Sequence, residues 1–328
     1  MHEEHGQPKR RRILPPDIAG SNLKLWLRSD LGITLVADPV IAAWTLAAGW
    51  SAAGGGVYSH AGGADNLSQA ILVVGNAYRV TYTVSGVAGG TIQPYAGTTA
   101  GTSRAADGTY TEVLVCAGNT SMIFVGTGTA SVGAISIESM SCSGWADQSA
   151  TGASFTNATA LTQPAYYKTG GAIDLPYLSF NGAHVLVGNP WTLLANISNV
   201  AHDLIYVVDL PAGAFAAGRS GGVPRYYQSK YSWSYDTFNT LVYVPANGLQ
   251  VLHFQKSAGD MAILRDGSSI ATVAQALVAF GADNLRIGDC GGPAYMTGKL
   301  YEVMCFAPGL TAAQIAMLTE WTMARYGV

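Results

Sequence analysis

Charge is what this chain has least of. Its 328 residues include 17 basic and 20 acidic side chains, so charged residues make up 11%, less than half the ~25% of an ordinary soluble domain. A formal net charge of −3 excludes a generally basic nucleic-acid binder. Helix-forming stretches are also scarce, and without strands and helices in alternation a P-loop or Rossmann enzyme is not expected. Four cysteines, Cys116, Cys142, Cys290 and Cys305, are too few for a disulfide scaffold and lack zinc-knuckle spacing. Cys116 and Cys142 lie in or beside one strand-rich segment, where buried thiols are favoured over a bond. No uncharged run reads as a membrane span: residues 39–58 break at Gly54-Gly55-Gly56, and residues 113–137 are laced with Thr, Ser and Gly. No apolar stretch follows the N-terminal basic cluster, so no secretory signal is read and folding in the cytoplasm is expected.

What is present is glycine, 40 residues of it, within a chain that is 49% hydrophobic. That combination excludes disorder and suits many short strands joined by tight turns. Residues 1–20 read as a polar, Pro-containing tail. Strand patterns at 68–74, 78–85, 109–115, 121–125 and 134–138 mark an all-β segment over residues 40–141, punctuated by Gly89-Gly90, Gly97, Gly108 and Gly118-Asn119. Further strands are expected at 23–28, 176–180, 184–187, 204–210, 225–231, 240–244, 249–256, 261–265, 284–288 and 300–306. One helix closes the chain. Thr311 is its N-cap, Gln314 completes a capping box, Gly327 is placed at C′, and Ile315, Met317, Leu318, Trp321 and Ala324 form its apolar face. The expected fold is all-β: two antiparallel β-sandwiches plus a C-terminal helix.

Two resemblances sharpen this. Trp26-Leu27-Arg28-Ser29-Asp30-Leu31-Gly32, Gly144-Trp145-Ala146-Asp147-Gln148-Ser149, Gln163-Pro164-Ala165-Tyr166 and Leu178-Ser179-Phe180-Asn181-Gly182 resemble the opening of laminin-G-like lectin domains of the concanavalin A-like superfamily. Gly298-Lys299-Leu300-Tyr301-Glu302-Val303, Leu310-Thr311-Ala312-Ala313-Gln314 and Arg325-Tyr326-Gly327-Val328 resemble its end. In that family the first two motifs are nearly adjacent, whereas residues 33–143 separate them here. The resemblance therefore implies a discontinuous domain, 21–39 and 142–328, with 40–141 inserted, and an insertion needs its two ends close together. Gly49-Trp50, Tyr58-Ser59-His60, Leu67-Ser68-Gln69, residues 78–84 and Gly108-Thr109-Tyr110-Thr111-Glu112 resemble the jelly-roll, carbohydrate-binding-module type of many bacteriophage structural proteins.

Candidate chemistry is sparse. Gly218-Arg219-Ser220-Gly221-Gly222, with Asp236 and His253 after it, has the order of a nucleophile elbow, but Val223-Pro224 forbids the helix the elbow needs, and a glycine turn is favoured. No two acidic residues share even spacing on a strand as a glycosidase pair would, and Glu302 stands alone among apolar neighbours. No catalytic residue is expected. Asp283, Asn284 and Asp289 offer oxygens for Ca²⁺ as in some laminin-G-like domains, or simply form turns. Tyr231, Trp233 and Tyr235 alternate with polar residues, and Tyr226 and Tyr227 precede them. This run is either a glycan-stacking platform or the inner face of a half-buried strand, and the inner face is favoured.

Lectin-type modules without an export signal point to a virion protein, assembled in the host cytoplasm and released by lysis. The expectation is a non-enzymatic bacteriophage structural protein, a head fibre, decoration, or short tail or collar fibre. Lys9, Arg10, Arg11, Arg12, Ile13 and Leu14 are its anchor on other virion proteins, and it forms a homo-oligomer, with a trimer favoured. The alternatives are a receptor-binding lectin that recognises host-surface polysaccharide, and a carbohydrate-active hydrolase. No cofactor beyond Ca²⁺ is implied.

Overall fold

A computed structural model describes residues 14–188, 200–211, 217–219, 227–228, 232–234, 240–242, 246–274, 277, 285–288 and 296–328. The strands at 217–219, 227–228, 232–234 and 240–242 are described through their backbone register. The body begins with helix α1 (Pro15–Ala19) and strands β1 (Leu23–Arg28) and β2 (Ile33–Leu35). The inserted segment holds β3 (Thr45–Leu46), β4 (Trp50–Gly54), β5 (Val57–Ala70), β6 (Ala77–Ala96), β7 (Thr99–Ala100), β8 (Gly108–Val115) and β9 (Ser121–Ser139). The body resumes with β10 (Cys142–Ala146), β11 (Ser154–Thr156), β12 (Ala165–Tyr167), β13 (Tyr177–Asn181), β14 (Leu186–Gly188) and β15 (His202–Leu210). Short strands β16 (Ala217–Arg219), β17 (Tyr227–Gln228), β18 (Ser232–Ser234) and β19 (Thr240–Val242) follow. The last elements are β20 (Gly248–Lys256), β21 (Asp260–Arg265), β22 (Ser268–Ala274), β23 (Leu285–Ile287), β24 (Thr297–Phe306) and helix α2 (Ala312–Tyr326).

Three antiparallel sheets result. Sheet A runs β12-β13-β24-β15-β20-β21-β22, with β1 beside β24; sheet B runs β19-β18-β17-β16-β23-β14-β11-β10-β2. Both are drawn wholly from the body. Leu25, Leu27, Leu204, Tyr206, Val208, Phe254 and Ile263 of sheet A meet Trp145, Phe155, Leu186 and Ile287 of sheet B in one core. The opposite face of sheet A is also covered. Trp26, Ile205, Val207, Tyr301, Met304 and Phe306 pack with Ile18 and Ala19 of α1 and Leu318 and Tyr326 of α2. A strand with both faces covered reads as a continuous apolar run rather than an alternation. This is why His202–Val208 and Leu300–Phe306 are buried at every position.

The lectin-like motifs converge in space. The Trp26 amide donates to Asp147 Oδ1 at 2.7 Å, the Gln148 amide to Trp26 O at 2.7 Å, and Trp145 Nε1 to Arg28 O at 2.9 Å. Motifs separated by residues 33–143 thus bond directly to each other, and β1 pairs with β24 of the closing motif.

Sheet C is built from the insert alone, in the order β3-β5-β9-β6-β7 with β4 on β5 and β8 on β6. It encloses its own core of Trp44, Trp50, Leu67, Tyr82, Met122, Phe124 and Val132. The strands expected at 121–125 and 134–138 are one strand, β9, and the strand expected at 78–85 continues to Ala96 as β6. Gly97 and Gly118-Asn119 stand in turns between strands as expected, whereas Gly89-Gly90 bends β6 within its pairing. Gly89 has φ +65°, and a Cβ on Gly90 would lie 2.3 Å from Thr127 O. Only glycine permits that approach.

The insert's two ends meet where the Val36 amide donates to Ser141 O at 2.9 Å and the Ser139 amide to Asp38 Oδ1 at 2.7 Å. Sheets C and A are also joined edge to edge. The Met140 amide donates to Ala77 O at 2.8 Å, the Tyr166 amide to Met140 O at 2.6 Å, and Ser141 bridges Ala165. Cys116, Cys142 and Cys305 are buried free thiols.

Two expectations at the termini need correction. Residues 14–20 belong to the body rather than to a tail. Pro15 opens α1, where its missing N–H costs nothing, and Asp17 accepts from the Leu14 amide at 2.9 Å. In α2 the capping box and the left-handed Gly327 stand as expected, but Met317 is 44% exposed and Ala324 is exposed as well. The buried stripe is Leu318, Thr322 and Tyr326, flanked by Ile315 and Trp321.

Candidate functional site

Buried ionisable groups mark functional sites when their environment is tuned for chemistry. In this body they hold elements together. Glu302 on β24 is fully buried; its carboxylate accepts from Trp26 Nε1 of β1 and from the Tyr326 hydroxyl of α2, with Arg325 Nε 3.7 Å away. Burial raises its pKa above the ordinary carboxyl value, against the lowering effect of Tyr326, Trp26, Arg325 and Arg28. Arg325 also reaches Asp30 at 3.0 Å, and Arg28 bonds the same carboxylate at 2.6 and 3.0 Å. Asp203 likewise spans three elements. One oxygen sits 2.6 Å from His253 Nε2, and the other accepts from the Leu310 amide at 2.6 Å. His253 Nε2 is thereby engaged by Asp203. Ser220 and Asp236 lie outside the described residues.

The other candidates from the sequence are placed unevenly. Tyr226, Tyr231 and Tyr235 lie outside the described residues, as do Asp283, Asn284 and Asp289 and the anchor residues Lys9, Arg10, Arg11, Arg12 and Ile13. Leu14 is described, and it packs against the α1–α2 side of sheet A; it fills a pocket of its own chain rather than of a partner. Tyr227 lies on β17, paired with Ser234. Trp233 lies on β18, where the ladder pairs it with Gln228 and Leu241. Gln228 pairs with Ala217, and Ala217 with Ile287. Residues directly opposite in an antiparallel ladder share a face. Trp233 therefore occupies the register row of Ile287, which is 1% exposed in the core between sheets A and B.

The sequence showed none of three concave features, one of which is an open groove of about 740 Å³ along α2, lined by Ile315, Ala316, Thr319, Met323 and Val328, among others. A cavity of about 150 Å³ at the module junction is lined by Asp38, Arg79, Glu138, Tyr166 and Lys168, among others. Arg79 is bonded to Glu138 there at 3.1 Å. A larger groove of about 330 Å³ lies on the outer face of β20–β22, lined by Gln255, Ser257, Asp260, Ala262, Leu264, Ser269 and Thr272. Its parts sit on three strands, and only the register brings them together. Alternating polar positions along β20 were the one signal available from sequence.

No family model matches the chain, and no curated protein matches it. Solved structures are similar at low identity. Domain 4 of AbnA, an extracellular arabinanase from Geobacillus stearothermophilus in complex with arabinotriose, is 14% identical over 53% of this chain and 92% of that one, with TM-score 0.40. Trypanosoma rangeli sialidase with the inhibitor DANA is 14% identical over 48% of this chain and 29% of that chain, with TM-score 0.34. The binding domain of botulinum neurotoxin DC in complex with SialylT is 11% identical over 54% of this chain and 48% of that chain, with TM-score 0.35. At these scores no residue role passes from those proteins to this chain.

Proposed function

We propose that this chain is a non-enzymatic binding protein of the bacteriophage virion type, a fibre or decoration whose β-sandwich body displays a surface for neutral glycans. The observation that carries the reading is the engagement of the buried ionisable groups. Glu302, Asp203 and His253 are the residues from which chemistry would be built, and each is tied to partners that fix β1, β15, β20, β24 and α2. The sparsely charged surface and the lectin-like motifs agree with recognition of uncharged polysaccharide. The virion assignment rests on the phage-type resemblance of the insert and on the basic cluster Lys9–Arg12.

The basic cluster supplies the test. Because residues 14–20 are integral to the body, the anchor is confined to residues 1–13. Deleting residues 1–13 is expected to leave the melting temperature within about 2 °C, since so polar and charged a segment has few apolar side chains to bury. The truncated protein is expected to be missing from assembled particles. Incorporation at the full-length copy number would overturn the anchor and, with it, the virion reading.

A further inference from the structure

We infer that the groove on the outer face of β20–β22 is a subsite for one neutral sugar unit; this rests on the glycan-binding reading above. Its shape follows from the ladder. Gln255, Ala262 and Thr272 form one register row across three strands, and His253, Leu264 and Ser269 form the next. Leu252, Phe254, Met261 and Ile263 point into the core between the sheets, so both rows face outward. Small Ala262 between Gln255 and Thr272 makes the trough. The register shift between Ile263 and Leu264 brings Ser269 opposite Leu264.

One end of the groove is rigid. Lys256 Nζ donates to Ser257 O at 2.6 Å and Asp260 O at 3.2 Å, and Ser257 Oγ accepts from the Asp260 and Gly259 amides at 2.9 and 3.3 Å. A fixed turn loses little entropy on binding.

Unspent hydrogen-bonding capacity distinguishes this surface from the others. The exposed face of sheet C is rich in hydroxyls, yet they satisfy one another: Thr81 with Thr111 at 3.0 Å, Thr83 with Thr109 at 2.9 Å, and Ser59 with Ser131 at 3.0 Å. At the module junction Arg79 is spent on Glu138, and Asp38 on the Ser139 amide. In the groove, the side chains of Gln255, Ser269 and Thr272 make no side-chain hydrogen bond among the described residues, and the Asp260 carboxylate has only the charge of neighbouring Lys256 acting on it. Four polar groups surround an aliphatic floor of Ala262 and Leu264, with Asp260 the one ionisable residue among the described residues of the lining. This arrangement matches a pyranose, which presents a C–H face ringed by hydroxyls. The volume is at the lower end of the ~300–1,000 Å³ range of small-molecule sites, which suits a single unit of a longer chain.

The test is titration of the ¹⁵N-labelled full chain with methyl β-galactoside, methyl α-glucoside and N-acetylglucosamine, read by amide shifts. At least one sugar is expected to move the amides of Gln255, Ala262, Leu264 and Thr272. Ala262→Met, which fills the trough, should abolish that response. Thr272→Val, an exposed near-isosteric change that leaves the fold intact, should weaken it about tenfold. Shifts confined to other surfaces would overturn the groove and leave glycan binding standing. No response anywhere would overturn the groove and the glycan reading together.

Discussion

Replacing Glu302 with alanine is expected to cost about 3–5 kcal/mol of folding stability. The carboxylate is the point at which β1, β24 and α2 are tied together, through Trp26, Tyr326 and Arg325. Removing it leaves an indole N–H and a phenol without their acceptor in a space closed to water and takes one of two carboxylates from Arg325, which keeps Asp30; buried donors left unsatisfied cost more than intact hydrogen bonds stabilise. Urea denaturation followed by tryptophan fluorescence measures the loss; a change below about 1 kcal/mol would show that Glu302 does not hold these elements. Glutamine is a gentler replacement and gives the sign of the linkage. Burial raises the folded-state pKa of Glu302, so its contribution is complete at pH below the ordinary carboxyl value and is lost as pH rises through the raised folded value. Glutamine does not ionise. The stability of Glu302→Gln relative to the wild type should therefore improve as pH rises from about 4 to about 8, whereas a constant difference would contradict the linkage.

The second large effect is expected at Trp233. Its register row includes Ile287, on the inner side of sheet B. If that row places the indole in the core, Trp233→Ala costs about 3–5 kcal/mol, the range for emptying a buried aromatic site. Differential scanning calorimetry decides between the two readings of the aromatic run. A variant that keeps its melting temperature but loses glycan binding would make Trp233 a stacking platform on the surface.

How much of this was legible in the sequence depended on how locally each feature is encoded. Leu204–Leu210, Leu249–Lys256 and Leu300–Phe306 are strands in the structure to within three residues at either end, because apolar runs of that length have few other solutions. The cap at Thr311 and Gln314 is legible for the same reason: both partners lie within one turn. Helix α1 is not, because Pro15-Pro16 suits an extended chain as well as a first helical turn, and packing against α2 decides between them. Long β6 and β9 were hidden by glycines that bend a strand in the same way that they end one. The Glu302 cluster and the outer groove depend on contacts between residues far apart in sequence, which a single sequence does not print. Glu302 looked isolated only because Trp26 and Tyr326 lie near opposite ends of the chain.

Isothermal titration of the full-length protein with purified bacterial surface polysaccharide, followed by size-exclusion chromatography of the recovered polysaccharide, tests the central claim that this is a binding protein and not an enzyme. Saturable binding is expected, with the polysaccharide recovered at its original length. Shortened polysaccharide, or no binding to any neutral surface polysaccharide, would contradict it.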